Sequence, residues 1–133
     1  TDMCGQYEWG GYDKNGTTYS FPTQRPSWSN PIHQLMVANN VSAFVQGHDH
    51  IFVHQERDGV VYQAMPNPAD DTFTMFNEAA YTSGTKAPNS GHVRVSISPV
   101  GAKVEYFLAA RAVDSSRKNL TVAHSYTVKP RSI

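Results

Sequence analysis

Gly47, His48, Asp49 and His50 are the residues of this chain whose types and spacing best suit chemistry. Neutral imidazole is a common ligand for zinc, iron, nickel and related metals. A glycine just before the first histidine lets the backbone turn sharply and come close to an ion. Taken alone, the four residues fit two readings equally well. One is a metal-binding loop; the other is a polar turn that holds two unligated imidazoles. Asp49 lies between the histidines and should point away from them. It either orients an imidazole from behind or faces solvent, and solvent is the simpler expectation.

The flanking elements favour the metal loop. "SNPIHQLMVANN" reads as a helix, with Asn30 as its cap and Pro31 in the first helical position. Ile32, Leu35 and Met36 form its apolar stripe, and Asn39 and Asn40 its stop. "VSAFVQ" follows at once and reads as a short buried strand. The histidine loop then lies at the carboxyl end of a strand, where open α/β sheets tend to bind ligands.

Next, "IFVHQER" and "VVYQAM" flank Asp58-Gly59, a favoured two-residue hairpin turn. That turn sets Arg57 opposite Val60, Gln55 opposite Tyr62 and Val53 opposite Ala64. Residues 66–91 read as a long loop, with a short helical turn in "TFTMFNEAA". "HVRVSIS" and "KVEYFL" alternate as strands and pair through "PVGA" into a second hairpin. "ARAVDSSRKNLT" is a polar connection to a closing edge strand, "HSYTV". The expected class is α/β and β-rich: one clear helix, then mostly antiparallel strands.

The chain has 133 residues, which suits one domain or a large piece of one. Its 11 basic and 11 acidic residues cancel, so nothing suggests nucleic-acid binding. No apolar run is long enough to cross a bilayer. Cys4 is the single cysteine, so no internal disulfide can form and the redox compartment stays open. Residues 1–30 read as a long loop rich in Gly, Tyr, Pro and Ser, whose start looks like a boundary inside a larger domain. Within it, the aromatic rings of Tyr7, Trp9, Tyr12, Tyr19 and Trp28 either wall a substrate cleft or pack against something else.

"VANNVSAFVQGHDHIFVHQERDGVVYQAMPNP" resembles the last motif region of the calcineurin-like metallophosphoesterases, the superfamily that includes purple acid phosphatases. "SGHVRVSISPVGAKVEYFLA" and "NLTVAHSYTVKP" resemble the strands that close the second sheet of that fold. The likeness spans roughly residues 30–130. It implies a two-sheet sandwich flanked by helices and a centre of two metal ions (manganese, iron or zinc) that hydrolyses phosphate esters. In it, His48 matches a ligand of the second ion and His50 a ligand of the first.

The departure from the family pattern is large. Members carry D-x-H, G-D-x-x-D, G-N-H-[DE] and a further histidine before G-H-x-H, and none of the first three occurs here. His33 precedes His48 but sits inside the helix, a poor place for that further ligand. Two imidazoles are too few for two ions, since even one structural zinc needs four ligands and a catalytic one three. The expectation is therefore that residues 31–133 are the carboxyl-terminal half of a metallophosphoesterase domain, with residues 1–30 flanking the active site. Its partner would be the missing amino-terminal half, and alone it should be inactive. The inner-face residues Val93, Val95 and Ile97 would then be exposed and favour self-association. The competing expectation is a non-catalytic β-rich binding module that uses the aromatic loop, Trp9 and Tyr12 included.

Other tempting residues read as structural. In an extended strand His54 lies about 13 Å from His50, too far to share an ion, and it faces Gln63 across the hairpin. His92 and His124 read as surface or hydrogen-bonded histidines. Asp70 and Asp71 read as a solvated pair, with a hard-cation site as the alternative.

Overall fold

The computed structural model describes residues 6–131 of the chain. Cys4 lies outside the described residues. Helix α3 (Ile32–Ala38) begins after Pro31, which itself stands in the cap position; Asn30 does not cap it. The helix stops as expected. Asn39 donates from its backbone and its side chain to the Leu35 carbonyl, and Asn40 takes a φ of 54°.

Strand β1 (Ala43–Gln46) follows and pairs in parallel with β3 (Val60–Ala64). The expected hairpin joins β2 (Phe52–Arg57) to β3. Val53 pairs with Ala64, His54 with Gln63, Gln55 with Tyr62 and Arg57 with Val60. Its register is set by Asp58 and Gly59, both at positive φ (49° and 75°), the combination a tight two-residue hairpin turn requires.

Three expectations need correction. β1 is not a buried strand: it lies at the edge of its sheet, and Val45 is 56% exposed. An apolar run implies cover on both faces, and this one lacks it among the described residues. The stretch 66–91 is not all loop, because β4 (Thr85–Ala87) pairs with β2. Three residues are too few to show an alternation, so the neighbouring strand defines this one. Finally, the first thirty residues include two single-turn helices, α1 (Tyr7–Gly10) and α2 (Phe21–Gln24). The helical turn expected in 72–80 is present at its end, as a 3-10 turn at Glu78–Ala80.

The sheet order is therefore β1-β3-β2-β4. A second, antiparallel sheet has the order β5-β6-β7, from β5 (Gly91–Ser98), β6 (Gly101–Leu108) and β7 (Val122–Val128). The chain thus has an α/β fold rich in strand, built on two mostly antiparallel sheets.

Period-two alternation gives the first sheet two different faces. One carries Val60 and Tyr62, which pack with Met36 of α3 and with Ile32, Val37, Phe44 and Trp9. The other meets the second sheet. There Phe52 stacks on Tyr106 at 4.6 Å between ring centres, and both are fully buried. His54 stacks on Tyr126 at 3.6 Å, and the Tyr126 hydroxyl donates to Gln63. The sheets do not cover each other completely. On β5, Val95 is 51% and Ile97 84% exposed.

Candidate metal centre

The histidine loop leaves β1 at Gly47 and reaches the buried Ile51 just before β2. His48 and His50 are exposed, whereas Asp49 between them is half-buried. His48 has a φ of 83°, a region that residues with a side chain seldom occupy. The loop is therefore held in one shape by contacts elsewhere.

Two sets of contacts hold it. The buried Tyr81 donates its hydroxyl to Asp49 Oδ2 at 2.7 Å, and Asn77 Nδ2 donates to Oδ1 at 2.9 Å. Asp49 is thus not left to solvent as expected: its hydrogen bonds come from Tyr81 and Asn77, not from an imidazole. Burial acts to raise the carboxyl pKa. The bonds from Tyr81 and Asn77, with the nearby His48, outweigh that and hold it below the usual value. In turn, burial and the Asp49 carboxylate push the Tyr81 phenol well above its ordinary range. The second contact is to the backbone: the His50 carbonyl accepts from Asn89 Nδ2. Asn89 is fully buried, and its Oδ1 accepts from the Asn67 amide at 2.7 Å.

The loop borders a cleft of about 430 Å³ lined by Gln6, Gln46, His48, Asp49, Asn77 and Tyr81, among others. Gln46 Nε2 reaches the Tyr81 hydroxyl at 3.4 Å, while its Oε1 is buried without a hydrogen-bond partner among the described residues. Trp9 and Tyr12, the expected cleft aromatics, lie elsewhere. Trp9 packs edge-on against Phe44 at 4.9 Å, and Tyr12 against Tyr19 at 5.2 Å. From the first segment it is Gln6 that lines the cleft.

The remaining sequence candidates have structural partners. His33 bridges two elements: Nδ1 meets the Tyr62 hydroxyl at 2.6 Å and Nε2 meets Asp58 of the hairpin turn at 2.8 Å. His54 Nδ1 meets His124 Nε2 at 3.2 Å. His92 is exposed and stacks on Phe107. Asp70 is half-buried and engaged by its neighbours. Its carboxylate accepts from the hydroxyls and backbone amides of Thr72 and Thr74, which hold its pKa far below the usual value. Asp71 pairs with Arg111 at 2.7 Å.

As a donor set, His48 and His50 are two exposed imidazoles on a pinned loop. Among the described residues no group of three or more His, Cys, Asp or Glu side chains is placed to hold an ion. A zinc site needs three or four ligands, so these residues fit a part of such a site. Sequence reasoning missed Tyr81, Asn77 and Asn89. They lie 28 to 39 residues beyond their loop partners, inside a stretch with no periodic pattern to place them.

No family model matches the chain, and no curated protein matches it.

Proposed function

We propose that this chain supplies His48 and His50 to a two-metal phosphoesterase centre whose other ligands come from polypeptide outside it. The observation that carries the proposal is the exposed pair of imidazoles on a pinned loop at the carboxyl end of β1. The edge position of β1 adds support, since further polypeptide can approach the loop from that side. The likeness to calcineurin-like metallophosphoesterases supplies the assignment, with His50 on the first ion and His48 on the second.

The chemistry needs ligands of this type. Bound manganese, iron or zinc ions activate water and stabilise charge on the phosphoryl oxygens of a phosphate ester. Neutral imidazoles leave such ions more Lewis-acidic than added carboxylates would. Asp49 is tied back to the protein, with one hydrogen bond from Asn77 and one from Tyr81 to its two oxygens. A second reading, a β-rich binding module working through its aromatic segment, has less support because Trp9 is packed against Phe44.

The test is complementation. Alone, the chain should not hydrolyse p-nitrophenyl phosphate with manganese or zinc. Mixed with a polypeptide carrying the D-x-H and G-N-H-[DE] motifs, it should gain activity that His48→Ala and His50→Ala abolish. Robust turnover by the isolated chain would overturn the view that the other ligands lie outside it. Activity that survives both substitutions would remove the histidines from the centre.

A further inference from the structure

We propose that Tyr81 is the positioning residue of the histidine loop and acts through Asp49. The inference rests on the reading of His48 and His50 as metal ligands and extends it to a residue of the 66–91 stretch.

The geometry runs as a chain of contacts. Tyr81 is 5% exposed, and its ring packs in a cluster with Ile51, Val53 and Ala64. The phenol oxygen is therefore fixed by the core. It donates to Asp49 at 2.7 Å, and Asn77 binds the other carboxylate oxygen. Asp49 is the residue between the two imidazoles, so anchoring it inward turns its neighbours outward. His48 pays the conformational cost, at a φ of 83°. Backbone in such a region persists only where surrounding contacts over-determine it. The Tyr81–Asp49 bond is one such contact, and Tyr81 also lines the cleft that His48 borders. A site prepared this way does not have to order its ligands when an ion arrives.

Tyr81→Phe keeps the ring in the core and deletes only the hydroxyl. Two measurements on the full chain test its effect. The first needs no metal. At positive φ the amide and α protons of one residue lie close together, so His48 should give a strong intraresidue NOE. That NOE should weaken in Tyr81→Phe, while Tyr126→Phe, which deletes a hydroxyl bonded to Gln63, should leave it unchanged. The second is a zinc titration followed on the His48 and His50 imidazole resonances. Binding should be weak in the wild type and several-fold weaker in Tyr81→Phe, with little change in Tm.

The outcomes separate the two ideas. If the wild-type imidazoles do not bind zinc without the outside ligands, the NOE alone decides the role of Tyr81, and the complementation assay decides the metal-centre reading. Where zinc does bind, an affinity unchanged by Tyr81→Phe overturns the positioning role. So does an unchanged NOE in either case. If Tyr81→Phe does not fold, Asn77→Gly, which tolerates the φ of 61° at this exposed residue, applies the same test to the other half of the clamp.

Discussion

His54 and His124 face each other between the two sheets, Nδ1 to Nε2 at 3.2 Å. One nitrogen of such a pair must donate and the other accept. If both rings carry charge, both facing nitrogens hold protons and the bridge is lost. Tyr126 stacks on His54, Phe52 lies edge-on to His124, and Glu56 is the carboxylate that acts on His54 from its own strand.

Acid should therefore loosen this joint. Burial, then the neighbouring His124, lowers the His54 pKa, and Glu56 opposes both only in part. A lowered pKa means that the unfolded chain takes up this proton first as pH falls. The stabilisation from a neutral His54 is complete above the ordinary imidazole value of 6.5. It declines below that value, until the folded imidazole also titrates. Urea midpoints measured between neutral and mildly acidic pH should fall less steeply in His54→Gln than in the wild type. Parallel slopes would show that His54 carries no such linkage.

Phe52 and Tyr106 form the buried centre of the sandwich, stacked with planes 4° apart. Phe52→Ala should cost about 3–5 kcal/mol through lost burial and the cavity left behind. Chemical denaturation measures this directly. A loss below about 1 kcal/mol would mean that the sheets join elsewhere.

The uncovered row on β5 should drive self-association. Val95 and Ile97 lie on one face of an edge strand, and exposed apolar strand surface invites pairing. The chain should elute larger than a monomer in sizing experiments. A double substitution, Val95→Lys with Ile97→Lys, should return it to monomer without lowering Tm. A wild type that stays monomeric at high concentration would refute the expectation.

How much of this was legible depended on the range of the interactions. The β2–β3 register could be read residue by residue, because Asp58-Gly59 fixes it locally. The helix stop at Asn39 and Asn40 and the place of the histidine loop after β1 were readable for the same reason. The burial of β1 was misjudged, since an apolar sequence reports what a strand can bury and not what covers it. The clamp on Asp49 was invisible. Tyr81 lies 32 residues further on, in a segment where neither period two nor period 3.6 marks a face. Trp9 was ambiguous because a large ring serves a cleft and a core equally well.

The buried amide of Asn89 joins the His50 carbonyl, the Asn67 amide and the Asp70 carboxylate. The histidine loop and the 67–70 stretch therefore share one fastening on Asn89. The excursion between 66 and 88 is in effect a removable part with a fixed mounting. Its outer residues can be shortened, lengthened or exchanged for another sequence while the mounting is kept. A transplant that leaves Asn89 behind would keep the grip of Tyr81 and Asn77 on Asp49 but lose the fastening of the His50 carbonyl.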